Sequence, residues 1–361
     1  MHRQAPSRQR GPYTRTPTDG QVSMEPMTEL ESETLRRYYR HFAEVEAADT
    51  SPLFAEWAAG TADDDEIIDL LLSLPQPKRQ ANLLFAAARH LGAGEPDFAQ
   101  LRAWLLAHWD AVRSLMLERS TQTNEAGRCA VLLPVLSQVN GPIALIEVGA
   151  SAGLCLYPDR YSYEYRTAEG VVRLDPEDGP STVVLECGLT AAQPPTRLPE
   201  VVWRAGIDLN PLDVTDPEER AWLRSLIWPE HDARRARLDA AAAIAAADPP
   251  RLVAGDLTEA VDSLIAKAPA GAQIVLFHSA VLAYVDAPGR DKFTSLMRSR
   301  DDVIWVSNEG ERVLPDLGEQ LRGFGIESAG GRFVLTVDGV ATALTGPHGQ
   351  SYQGLTRRTP A

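Results

Sequence analysis

From Gly141 onward the chain alternates between short apolar runs and helical stretches, and no other feature constrains the fold as tightly. The runs "IALIEV", "VVWRAGIDL", "RLVAGD", "QIVLFHS", "DVIWVSNEG" and "RFVLTVDG" have strand length. Helices with clear start signals lie between some of them, as where Asp216-Pro217 with Glu219 opens "EERAWLRSLIW". Strands alternating with helices predict a mostly parallel sheet wrapped by helices. Such a sheet binds ligands at the carboxyl ends of its strands, near the point where the strand order reverses.

Upstream the rhythm is different. Residues 1–27 hold almost no apolar side chains and predict a disordered tail. Residues 28–140 predict an all-helical lobe of four to six helices. Thr28 with Glu31 forms a capping-box pattern, and Ser51-Pro52 an N-cap followed by proline. Leu101, Trp104, Leu105, Val112, Leu115 and Met116 share one face at helical spacing. In "TQTNEAGRCAVLLPVLSQV" a dense polar group, with Thr123 or Asn124 as N-cap, opens a helix that is apolar nearly all round.

With 361 residues, 44% hydrophobic and 24% charged, the chain can bury a substantial core. No apolar run is long enough to span a membrane. Cys129, Cys155 and Cys187 are widely spaced and odd in number, which predicts reduced thiols in a cytoplasmic protein. A net charge of −15 argues against nucleic acid, leaving a small molecule as the expected partner. The run "DARRARLDA", with Arg234, Arg235 and Arg237, reads as a solvated helix face. The histidines are scattered without metal-ligand spacing, so no metal is expected.

The site candidates begin in "ALIEVGASAGL", where Glu147 ends an apolar run and Gly149 and Gly153 bracket small residues. Glycines there free the backbone where a strand hands over, so a ligand can come close to the amides. The spacing Glu147-x-Gly149-x-Ser151-x-Gly153 lacks the G-x-G pair that a dinucleotide pyrophosphate needs. "GIDLNP" then puts Asp208 at a second strand tip, followed by Asn210-Pro211, and "VAGDLTE" puts Asp256 at a third. An acid at the second tip is placed to accept hydrogen bonds from ribose hydroxyls. Glu147 and Asp208 are 61 residues apart, against roughly 20 for one strand-helix-strand unit. The excess reads as a β insertion at about 161–200, in which Tyr161, Tyr163 and Tyr165 form a stripe read as core packing.

This ordered set of acids and glycines resembles the class I S-adenosylmethionine-dependent methyltransferases. The resemblance implies a doubly wound, Rossmann-like sheet over residues 141–361, with the helical lobe before it and the β insertion after the first strand. It implies S-adenosylmethionine held by Glu147, Gly149, Ser151, Gly153, Asp208, Asn210 and Asp256, with Asp256 toward the adenine. Ser151 departs from the common first motif, which has a glycine there. "TQTNEAGRCAVLLP", "EVGASAGL", "GIDLNPLDV" and "FHSAVLAYV" together resemble an uncharacterised bacterial family of unknown function.

In that fold the fourth and fifth strand tips face the transferred methyl. They carry His278, with Tyr284 nearby, and Asn308, Glu309 and Glu311. His278 is the expected general base, with Tyr284 or Glu309 in reserve. Asn124, Glu125 and Arg128 are the expected substrate contacts, Arg128 meeting either a ligand carboxylate or an internal acid such as Glu125. His348 reads as part of a surface turn. The expected function is methylation of a small molecule. Two other readings remain, a non-catalytic S-adenosylmethionine or nucleoside binder and a serine hydrolase with Ser151 on a strand-helix elbow.

Overall fold

The computed structural model describes residues 25–122 and 124–356; Thr123 and the termini, including most of the segment read as a tail, lie outside them. Six α-helices come first: α1 (Glu25–His41), α2 (Pro52–Asp63), α3 (Asp65–Leu72), α4 (Ala81–His90), α5 (Phe98–Glu118) and α6 (Cys129–Leu136). Helix α1 starts at Glu25, so Thr28 lies inside it and is not its cap. Ser51 does cap α2, its hydroxyl accepting from Phe54 N, with Pro52 in the first turn. Leu101, Leu105, Val112 and Met116 on α5 are buried, and Trp104 and Leu115 pack against the same core. Helix α6 follows a short 3-10 turn (Ala126–Arg128) and is buried along almost its whole length.

The strands are β1 (Pro142–Val148), β2 (Ser162–Thr167), β3 (Gly170–Leu174), β4 (Val184–Thr190), β5 (Glu200–Asp208), β6 (Arg251–Ala254), β7 (Gln273–Ser279), β8 (Val303–Gly310), β9 (Phe333–Val337), β10 (Val340–Thr345) and β11 (Ser351–Gly354). They form one sheet of eleven strands in the order β3-β2-β4-β11-β10-β9-β8-β7-β1-β5-β6. From β6 to β8 every pairing is parallel. Strand order runs outward in both directions from β1, to β5 and β6 on one side and to β7 and β8 on the other. The carboxyl ends of β1 and β7 therefore flank the reversal point.

The crossovers explain the burial. Helices α7 (Pro217–Ser225) and α8 (Asp232–Ala247) connect β5 to β6. They pack with the N-terminal helices on one sheet face, against Leu145, Val275 and Phe277. Helices α9 (Leu257–Ile265), α10 (Ala287–Arg298) and α11 (Leu317–Gly323) make the later connections. They cover the opposite face, against Ile146, Ile207 and Leu276. With both faces covered, the central strands are apolar on both sides, which is why they read as continuous runs rather than alternating ones.

The inserted strands β2, β3 and β4 are not a separate sheet, since β4 pairs in parallel with β11 and continues the main one. Tyr161, Tyr163 and Tyr165 are all fully buried. Their hydroxyls donate to the carbonyls of Leu154, Pro158 and Ala130. A phenol in a core needs such an acceptor. The stripe thus ties the insertion to the glycine turn and to α6.

Candidate functional site

Register levels the strand tips. Val148 lies beside Ile207 on one side and His278 on the other, and His278 lies beside Ser307. Four tips therefore present their last residues at one edge.

The turn after β1 is held from several directions. Gly149 N and Ala150 N donate to Ile207 O, Gly153 N to Ala150 O, and Leu212 N to Ser151 O. Gly149 and Gly153 take φ near +71°, and Ser151 takes φ +50°, so three of five residues are left-handed. A Cβ on Gly149 would stand 2.2 Å from Val281 Cγ2. Glycine is required there for a side chain of the protein to approach, whichever ligand does.

Asp208 is the organising acid. Its Oδ2 accepts from Ser151 N at 2.8 Å, and its Oδ1 from Asn210 N at 2.8 Å and Gln122 Nε2 at 3.1 Å. A carboxylate has about four acceptor positions, so at least one stays open. Gln122, which the sequence reading did not single out, also donates to Asn210 O. Asn124 completes the cover, donating to Ala150 O at 2.7 Å and accepting from Leu154 N at 3.0 Å. Asn124 thus does not cap α6; the cap of the 3-10 turn before it is Glu125, whose Oε1 accepts from Gly127 N at 3.0 Å. The polar segment lies across the glycine turn and the tip of β5.

Glu147 is buried, and among the described residues its Oε2 has no partner. Burial pushes its carboxyl well above the usual range; Cys155 and Asp208 add to this and Arg128 opposes it. Ser151 Oγ and Gln122 Oε1 are also buried without partners among the described residues. All three atoms belong to neighbours of Asp208.

The structure adds to one expected role and corrects others. Asp256 caps α9, accepting from Thr258 N and Thr258 Oγ1, the two bonds that hold its carboxyl below the ordinary value. His278 does not emerge into a crevice; it is fully buried. Trp305 Nε1 donates to His278 Nε2 at 3.1 Å, and His278 Nδ1 meets Glu309 Oε1 at 2.7 Å. An indole nitrogen can only donate, so hydrogen-bond geometry assigns the imidazole hydrogen to Nδ1. Glu309 Oε1 also accepts from Val281 N and Leu282 N. Asn308 is buried as well, donating to Ser279 Oγ and accepting from Thr345 Oγ1. The tips of β7 and β8 form an internal network, and of the three expected catalytic groups only Tyr284 is exposed.

Among the described residues Arg128 forms no ion pair with Glu125 or another internal acid. Its Nη1 donates to Ser279 O and its Nε to Pro347 O. Glu125 is paired instead with Arg234 (2.8 Å) and Arg237 (2.9 Å) of α8, so two arginines of the supposed solvated face turn inward. Burial raises the Glu125 carboxyl, but the hydrogen bond and charge of Arg237 and the charge of Arg234 outweigh it and bring it to about 2. The spacing of three between Arg234 and Arg237, which puts both on one helix face, was the legible signal.

A family model spans residues 36–353, nearly all of the described residues. The chain belongs to DUF2332, a family of uncharacterized proteins conserved in bacteria. The motifs that suggested an uncharacterised bacterial family all lie inside that DUF2332 match. No curated protein is similar enough to this DUF2332 member to match it. Among the described residues no helix is long and apolar enough to cross a membrane.

Proposed function

We propose that this protein binds S-adenosylmethionine across the carboxyl ends of β1 and β5 and methylates a small molecule. The observation that carries the reading is the group of buried atoms without partners among the described residues, Glu147 Oε2, Ser151 Oγ and Gln122 Oε1, at the tips of β1 and β5 and next to the reversal point between β1 and β7. An unpaired buried polar group costs about 1–3 kcal/mol, and open sheets of this order take ligands at that point. A ligand rich in donors, with an ammonium and two ribose hydroxyls, answers those acceptors.

The residues fit such a ligand in part. Two backbone amides orient Asp208, while its third bond comes from the Gln122 side chain, which a ribose hydroxyl can replace. Glu147 offers a carboxyl for an ammonium. The amides of the glycine turn add little, because those of Gly149, Ala150, Ser151, Gly153 and Leu154 already have partners. Residues 121–125 must shift for entry, since Gln122 and Asn124 lie over the turn.

S-Adenosylmethionine supplies a methyl group on a positively charged sulfur, which departs as a neutral thioether. The chain's own part is positioning, exclusion of water and, where required, removal of a proton. Both ring nitrogens of His278 are bonded, so the reading favours acceptors that attack without losing a proton. The same observation favours the second reading, a non-catalytic binder of the same ligand. Ser151 Oγ has no partner and hence no base upon it, so the hydrolase reading is set aside.

Thermal shift and calorimetry with S-adenosylmethionine and its demethylated product test the binding. At one hundred times the dissociation constant the gain is about 2.7 kcal/mol. No shift at millimolar ligand, with calorimetry also silent, refutes the proposal. Formation of S-adenosylhomocysteine with a library of small acceptors separates enzyme from binder.

A further inference from the structure

One edge of the sheet is only half covered. Strand β6 is the outermost strand there, and among the described residues it pairs with residues 205–208 of β5 alone. Residues 200–204 of β5 have a partner strand on the β1 side only, and Val202 sits at a bulge that the β1 register skips. Pro249 and Pro250 lead into β6. Without N–H groups they cannot carry its pairing further down β5. At about 3.3 Å per residue the bare edge runs for about 16 Å. A cleft of about 620 Å³ follows it, lined by residues 201–204 of β5 and by Arg160, Asp248 and Arg251.

The cleft is basic within a chain of net charge −15. Arg204 lies over the Tyr157 ring, on the sheet face that α8 covers, and is held by Asp159 at 2.7 and 2.8 Å. Asp159 also meets Arg160 at 3.4 Å, so one carboxylate serves two guanidinium groups. Asp248 lies 3.7 Å from Arg204. Arg251 is exposed, and none of these ion pairs includes it. It is in register with Ala205, which faces the opposite side of the sheet together with Trp203. Positive charge therefore flanks the edge from both faces, Arg160 on one and Arg251 on the other.

We propose that this edge docks an extended acidic segment of a partner protein, which adds to β5 as a strand below the start of β6. A bare strand edge offers unpaired N–H and C=O groups, and main-chain pairing supplies the attraction. Successive side chains of a strand point to opposite faces. Two adjacent acidic residues of the segment therefore reach Arg251 on one face and Arg160 on the other, where guanidinium and carboxylate match. A second copy of this chain is the poorer occupant, because pairing the same edges sets these arginines against like charges. The edge belongs to the amino-terminal half of β5, away from the strand tips, so the inference does not rest on the proposed function.

The test uses the full chain and a fluorescein-labelled, end-blocked peptide of six residues, with two adjacent glutamates among valines and threonines. Fluorescence polarisation reads binding, and amide hydrogen exchange reads protection of residues 200–204. The expected result is saturable binding with slowed exchange in that segment. Separating the glutamates by one residue, or replacing them with lysines, should weaken binding about tenfold or more. Methylating alternate backbone nitrogens of the peptide should abolish it. Arg251→Glu should weaken the original peptide about tenfold or more, whereas Arg113→Glu, at an exposed position of α5, should change nothing. The methylated peptide decides the matter if Arg251→Glu does not fold. No saturable binding at several millimolar peptide overturns the inference, as does undiminished binding of the methylated peptide, full competition by free succinate, or equal loss in Arg113→Glu. Self-association of the protein that Arg251→Glu alters, seen by analytical ultracentrifugation, would assign the edge to a second copy and overturn it as well.

Discussion

Replacing His278 with Phe separates a structural histidine from a catalytic one. Phenylalanine keeps the ring, its edge contact with Phe293 and its stacking on Trp305, so little packing volume changes. One polar group loses its partner and a buried carboxylate loses one of its three donors. Trp305 Nε1 is left without an acceptor, and Glu309 Oε1 loses the donor at 2.7 Å. At about 1–3 kcal/mol for each disturbed buried group, the cost is about 2–6 kcal/mol. With an unfolding entropy of roughly 2.1 cal/mol/K per residue, a chain of 361 residues loses about 1.3 °C per kcal/mol. The melting temperature should therefore fall by roughly 3–8 °C, read by calorimetry or near-UV circular dichroism. Affinity for S-adenosylmethionine, if the proposed site is right, should change little at temperatures where the variant is folded. An unchanged melting temperature would refute the structural account. If turnover then also fell by about 10²–10⁴-fold, the histidine would return to the role of base.

Other perturbations follow from the same geometry. Asp208→Ala should weaken S-adenosylmethionine at least tenfold, and it should also cost about 1–2 kcal/mol in the unliganded protein, because Ser151 N and Asn210 N lose their acceptor; parallel binding and melting measurements check both. Glu125 has its folded pKa depressed to about 2, so its contribution is present above the unfolded value and lost as pH falls from about 4.5 toward 2, on the order of 3 kcal/mol. Denaturation at a series of pH values should show this loss in the native protein and a shallower one in Glu125→Gln. Gly149→Ala should cost at least about 2 kcal/mol, combining a left-handed backbone with a methyl group driven into Val281. Adding Val281→Ala should recover part of that loss, and strict additivity of the two losses in a double-mutant cycle would contradict the close approach.

The sequence by itself determined most strands of the sheet and their kind, though not β10 or β11, which close it onto the insertion. Apolar runs such as "QIVLFHS" cannot stay in water, and helical segments between them leave few arrangements other than a parallel sheet covered on both faces. Caps are equally local: Ser51 and Asp216 each bond an amide two or three residues away, and such contacts are written in adjacent letters. The strand ends of Glu147, Asp208 and His278 were legible for the same reason. What those side chains touch was not. Arg128 lies 151 residues from Ser279, and Glu125 lies 109 and 112 residues from its two arginines. Both pairings depend on which helix crosses which strand tip. Asp256 takes both of its bonds at Oδ1 from Thr258, two residues on, and such a cap is local as well. His278 was expected to face the ligand because it lies at a strand tip, but Trp305 and Glu309 on the neighbouring strand take both of its nitrogens. A buried polar group must find partners wherever the fold brings them, and the fold brings most of these from far along the chain.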